Sequence, residues 1–138
     1  MRKLNEIATD LRGVLTEYFR TVRISVLKTP DQLLKEIKAI NPEKLPGVII
    51  VFDSLNFEGK NMTNTSRVTL VLIDQFRSGS DERALSLLQA GSNLMTLFPA
   101  DGKEINGVWY YPLDCVSATP DSQYAALAIG LEVKQGSI

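Results

Sequence analysis

Two runs of this sequence, 48–52 (Val-Ile-Ile-Val-Phe) and 68–76, are apolar at both parities. In the second run Val68, Leu70, Leu72 and Phe76 fall on one side, and Thr69, Val71 and Ile73 on the other. Side chains of a strand alternate between the two faces of its sheet, so such strands need cover on both. A sheet with one face open to water does not suit them. The second face is either sandwiched inside the domain or laid against another subunit.

The remaining periodicities say what is on hand to provide that cover. Leu4, Ile7, Ala8, Leu11, Leu15 and Tyr18 recur at steps of three and four, which predicts an amphipathic helix over 2–20. Val22, Ile24 and Val26 alternate with Arg23 and Ser25 as a short, half-buried strand. Thr29-Pro30-Asp31-Gln32 opens a second helix, with Thr29 as its cap, and Leu33, Leu34, Ile37 and Ile40 continue it. Asn41-Pro42 and Leu45-Pro46-Gly47 stop it. The polar segment 53–64 predicts a loop or the tip of a long hairpin. A third helix is expected over 81–98, with the apolar stripe Ala84, Leu87, Leu88, Gly91, Leu94, Met95 and Phe98. Residues 107–111 read as an aromatic strand and 116–118 as another short one. In 123–134 the odd positions Ala125, Leu127, Ile129, Leu131 and Val133 form one greasy face. The opposite face, with Ala126, Ala128 and Gly130, is small enough to lie under another chain. Residues 135–138 read as a frayed tail. With no repeat or linker, 1–138 is expected to be a single α+β domain. Its sheet, mainly antiparallel or mixed, would hold about four to six strands, with three helices packed largely on one face.

Composition narrows the chemistry. The chain has no histidine and one cysteine. A Ser-His-Asp triad, a Cys-His pair, a His-ligated metal and a CxxC site are therefore excluded within it. Fifteen basic and sixteen acidic residues give a formal net charge of −1, without the basic excess of a nucleic-acid binder. No apolar block follows Met1-Arg2-Lys3, and the longest apolar runs, 45–52 and 125–131, fall short of the ~20 residues of a membrane span. The expected location is the cytoplasm, away from membranes. The charge is uneven: residues 1–44 carry a net of +3 and residues 45–138 a net of −4. That polarity suits head-to-tail association, although a monomer can also carry it.

Individual motifs give little. Gly59-Lys60 lacks the upstream glycine and following hydroxyl of a P-loop. Arg77-Ser78-Gly79-Ser80 precedes a helix as an anion cradle would, but Asp81 and Glu82 would repel a phosphate there. Asp53, Asp74, Asp114 and Asp121 fall at strand ends or in loops, and Asp101 and Glu104 flank a turn; no metal or catalytic pair is assigned to them. Asn61 and Asn64 match the glycosylation sequon, a chance match in a polar segment. Cys115 reads as a small buried hydrophobe on a strand. Trp109, Tyr110 and Tyr111 alternate faces, so at least one points away from the core, where Trp109 and Tyr111 are candidates for a subunit contact.

The order of these elements resembles a known family. The N-terminal amphipathic helix is followed by Val22-Arg23-Ile24-Ser25-Val26 and the proline-marked strand 45–51. Then come the long strand 68–76 ending in Arg77-Ser78, a helix with Ala84-Leu85 and Leu87-Leu88, and a terminal β segment over 125–133. This is similar to the tail terminator (tail-completion) proteins of long-tailed bacteriophages and related prophage minor tail proteins. The resemblance implies a small α+β domain without catalysis, metal or cofactor. It implies a homo-oligomeric ring, typically a hexamer, that caps the tail tube and faces the head connector. Such a protein is assembled in the cytoplasm and ends in the virion tail. On this pattern Thr69, Val71, Ile73 and Arg77 would form ring contacts, and the segment 53–64 would bear on the tube or lumen. Two alternatives stay open: another injection-apparatus or head–tail connector component, and a small-molecule-binding or carboxylate-dependent α+β domain.

Overall fold

The computed structural model of the chain describes residues 2–26, 30–40, 42–56, 63–75, 81–121 and 123–136. In chain order these form α1 (Leu4–Leu15), β1 (Thr21–Val26), α2 (Pro30–Lys38), β2 (Gly47–Asn56) and β3 (Thr63–Gln75). There follow α3 (Asp81–Leu97), β4 (Lys103–Ile105), β5 (Val108–Asp121) and β6 (Tyr124–Gly136). A short 3-10 turn at Pro42–Lys44 leads into β2. The strands make one six-stranded sheet in the order β1-β2-β3-β6-β5-β4. β1 and β2 are parallel, bridged by α2, and every other pair is antiparallel. The α+β class with a mixed sheet therefore holds.

Both faces of the central strands are covered, as their sequence demands. On the first face, Val48, Ile50 and Phe52 of β2 and Val68, Leu70 and Leu72 of β3 meet Ile7, Leu11 and Leu15 of α1 and Leu87 and Leu94 of α3. Leu11 and Leu15 are fully enclosed, and burial on that scale stabilises by roughly 1.5–3 kcal/mol per side chain. On the second face, Ile49 of β2 and Val71 and Ile73 of β3 pack with Ile37 of α2, Ile40 just beyond it, and Tyr124 and Ala126 of β6. Two helices thus cover one face and the third covers part of the other.

Several expectations change at the ends of elements. Of the two readings of segment 53–64, the long hairpin holds for the described residues: β2 runs to Asn56 and β3 starts at Thr63, with Asn56 opposite Thr65 and a bulge between Phe52 and Ser54. The two strands that were read separately around Pro112 are one, β5, which passes Pro112 with a bulge before Asp114. β4 is an addition, made by a two-residue turn at Asn106 (φ 51°) and Gly107 (φ 84°) that sets Ile105 opposite Val108. Gln135 is buried rather than frayed. Its side chain accepts the Arg2 N–H at 2.9 Å and donates to the Arg2 carbonyl at 3.0 Å, tying the end of β6 to the start of α1. There Arg2 also bridges Glu6 at 3.0 Å and Asp10 at 2.6 Å, and Asp10 raises the pKa of the Arg2 guanidinium further. The Thr29 cap, Asn41, Phe76 and the 77–80 connection lie outside the described residues.

Candidate assembly surface

Among the described residues, the apolar cover on the second face extends from β2 and β3 to Tyr124 and Ala126 of β6. Towards β5 it changes character because β6 presents small residues there, Ala128 and Gly130, in register with Val116 and Asp114. A methyl group at Gly130 would collide with the Asp114 carboxylate and with the Arg67 guanidinium, whose Nη2 would lie 2.8 Å away. The absence of that methyl lets Arg67 and Asp114 pair across the top of β6 at 3.2 Å. Both partners are nearly half exposed, so the pair is worth well under ~1 kcal/mol.

Next along this face is an aromatic ledge. Trp109 and Tyr111 stack with ring centroids 6.2 Å apart. They rest against Gly102, where a Cβ would meet Tyr111 Cε1 at 2.6 Å. The Lys134 ammonium lies 5.8 Å from the Tyr111 ring centroid and pairs with Glu132 at 2.9 Å, a contact that raises the lysine pKa. Tyr110, between the two aromatics in sequence, points the other way and is fully buried edge-on to Phe98. The alternation expected of 109–111 is therefore present.

β5 has a second property. β4 pairs only with Val108 to Tyr110, so among the described residues no strand lies beside the outer edge of β5 from Tyr111 onward. Leu113, Asp114, Cys115, Val116 and Ser117 are all exposed, which means that neither face of this stretch is covered. Val116 is 55% and Leu113 47% exposed. Cys115 is on a strand as expected but exposed rather than buried. α3 adds a further apolar strip. Leu87, Ala90, Leu94 and Phe98 face the core, whereas Ala84, Leu88 and Met95, expected in the buried stripe, face outward with Leu85. The sheet contacts only one side of a helix, and here the apolar arc of the helix is wider than that contact.

The sequence-predicted contact residues therefore separate. Val71 and Ile73 belong to the core under α2 and are corrected from subunit contacts to intramolecular packing. Thr69, on the same face of β3, is half-buried opposite Gly130. Trp109 is exposed and Tyr111 half-buried on the open part of the face. Arg77 lies outside the described residues. The β5 edge does not show in the separate strands 107–111 and 116–118; a proline such as Pro112 inside an apolar run is itself a signal of an edge strand.

Among the described side chains, Asp74, Asp114 and Glu104 do not converge, and those of Asp53 and Asp121 lie outside the description. Asp74 is buried, but its Oδ1 accepts the neighbouring Gln75 N–H at 2.7 Å. Asp114 is held by Arg67, and Glu104 accepts the Gly107 N–H at 3.0 Å in its own hairpin. Among the described residues no three His, Cys, Asp or Glu side chains are placed to hold a metal ion. An open cleft of about 530 Å³ lies between the end of α1, the start of β2 and α3. Its lining includes Arg20, Lys44, Gln89 and Asn93 and contains no carboxylate. Among the described residues no helix is long and apolar enough to cross a membrane. The sequence matches no protein-family model and no curated protein.

Proposed function

We propose that this protein is a non-catalytic assembly component of the phage tail terminator class, working as a ring of identical copies that closes a tail tube and meets the head connector. The observation that carries the reading is the 113–117 stretch of β5, bare on both faces and along its edge. An exposed strand edge is a template for pairing with another chain, and monomeric proteins usually cover or shorten it. The open ledge of Trp109 and Tyr111, the outer leucines of α3 and the opposed charges of the two chain segments favour the same reading. So does the order of elements, which resembles that of tail terminators.

Light scattering and electron microscopy of the purified chain test this. The expected result is a closed oligomer whose population rises with concentration and falls for Val116→Asp, with the fold retained by circular dichroism. A chain that stays monomeric at the highest attainable concentration overturns it. The small-molecule alternative has one observation in its favour, the Arg20–Lys44 cleft. It predicts saturable binding of an organic carboxylate or phosphate that is lost in Arg20→Ala.

A further inference from the structure

Among the described residues, two strands of the sheet have a partner strand along one side only. β1 pairs with β2 on one side only, and β5 beyond Tyr110 pairs with β6 only. We propose that these two edges are complementary halves of one contact, so that β1 of one copy adds antiparallel to β5 of the next and the sheet continues from subunit to subunit. This rests on the assembly reading and specifies the surface that it uses.

Four features of the chain fit the two edges to each other. The first is length. Pro112 and Pro120 cannot donate a backbone hydrogen bond, so they delimit a run of seven residues, 113–119, on β5. β1 has six residues and fits within that run. The second is direction. β1 is parallel to β2, β2 antiparallel to β3, β3 antiparallel to β6, and β6 antiparallel to β5. β1 and β5 therefore run in opposite directions within a copy. A rotation about an axis along the strands preserves directions, so the neighbour's β1 arrives antiparallel to β5, and repeated rotation closes a ring.

The third is charge. Arg20 and Arg23 are exposed at β1, and among the described residues neither side chain makes an ion pair or hydrogen bond. The β5–β6 hairpin carries Asp114, Asp121 and Glu132 against Lys134 in its sequence; of these, Asp114 pairs with Arg67 of β3 and Glu132 with Lys134. The fourth is face. Arg23 and Ser25 lie on the second face with Ile49 and Val51 of β2, and Val22 and Ile24 pack against the first core. On β5, Asp114 and Val116 oppose the second-face residues Gly130 and Ala128, and Cys115 opposes the first-face residue Ile129. A continuous sheet then sets Arg23 beside the Asp114–Val116 side and sets Val22 and Ile24 beside Cys115. The symmetric alternative, β5 against β5 about a two-fold axis, puts two acidic hairpins side by side and leaves β1 bare. Like charges opposite each other on a sheet are destabilising.

Cys115, the chain's single cysteine, makes the proposal testable. Side chains directly opposite on one face stand ~4.5–5.5 Å apart at Cβ, within a small adjustment of disulfide geometry. Val22→Cys and Ile24→Cys are made in the full chain, with Arg23→Cys as the opposite-face control, and each is oxidised with diamide. The expected result is a ladder of cross-linked species beyond the dimer for Val22→Cys or Ile24→Cys. It is absent in the unsubstituted chain and in Arg23→Cys, and abolished by adding Cys115→Ser. An equal ladder from Arg23→Cys overturns the facing. A cross-linked dimer from the unsubstituted chain overturns the heterologous pairing in favour of the two-fold one. Oligomers by light scattering with no ladder from either variant place the contact elsewhere, so this proposal fails while the assembly reading stands. A monomer under all conditions removes both.

Discussion

Replacing Ile73 by alanine separates the two roles that its sequence position allows. The side chain is fully buried between the sheet and α2, against Ile37, Ile40 and Ile49. Truncating such a residue removes buried methyl groups and leaves a cavity, at a cost of roughly 2–5 kcal/mol. The sheet on one side is held by neighbouring strands, but α2 is only nine residues long and can settle towards the gap. The expected loss is therefore in the lower half, ~2–3.5 kcal/mol. For a domain of this length that lowers Tm by roughly 5–12 °C. Urea unfolding followed by Trp109 fluorescence reads the loss directly, since Trp109 is the only tryptophan. The midpoint should fall with little change in the denaturant slope. The shift should also be the same across a wide range of protein concentration, because the cavity lies within one chain. A loss below about 1 kcal/mol, or one that grows on dilution, would refute the placement of Ile73 in an intramolecular core. Val116→Asp is the counterpart: its monomer should unfold within about 0.5 kcal/mol of the unsubstituted chain while self-association weakens.

Further outcomes follow from the geometry. The Tyr110 hydroxyl is buried without a hydrogen-bond partner, so Tyr110→Phe should leave stability unchanged or raise it by up to ~1 kcal/mol in urea unfolding at neutral pH. Burial, followed by the nearby Asp10 charge, pushes the Tyr110 pKa well above its ordinary 10, with Arg2 opposing. The unfolded chain thus loses this proton first, and stability falls as pH climbs above about 10; urea midpoints at mildly and strongly alkaline pH should show a shallower fall in Tyr110→Phe. Gly102→Ala puts a side chain at φ +97° and against the Tyr111 ring, so it should cost ~2–4 kcal/mol and shift Trp109 emission as the stack opens. Gly130→Ala must displace the Arg67–Asp114 pair, but that pair is exposed and alanine suits a strand better than glycine by ~0.5–1 kcal/mol. Its net effect should stay within about 1 kcal/mol, and a loss above ~2 kcal/mol would show that the ion pair has a structural role.

Legibility varied with how local the deciding interaction is. β6 was readable because the two-residue period of a strand is written directly in Ala125 to Val133, and β2 and β3 because the short β-branched runs Val48 to Phe52 and Val68 to Ile73 mark strands buried on both faces. α1 was readable because Ile7, Leu11 and Leu15 share one side of a helix. β4 was missed although Asn106-Gly107 is a strong hairpin signal, since the three-residue strand before it, Lys-Glu-Ile, has no apolar alternation. β5 was split at Pro112 because a proline is compatible with a strand only where its missing N–H faces an open edge. Which strand is the edge is a property of the whole sheet. Leu88 and Met95 of α3 share the apolar stripe in sequence but face outward for a related reason. Helical period shows which residues share an arc, but the width of the arc that touches the sheet depends on the neighbours.

The amino-acid sequence by itself determined that this chain builds a sheet covered on both faces, and that it lacks the histidine and paired cysteines of most catalytic and metal sites. Those properties follow from side-chain alternation and from which functional groups are present. The tertiary structure alone decided that α2, rather than a second subunit, covers Val71 and Ile73, and that the bare surface lies instead along β5 and beside Trp109 and Tyr111. Cover is a competition among all apolar surfaces for a limited number of helices. It is settled only when the strand order β1-β2-β3-β6-β5-β4 places each strand at the centre or at the edge.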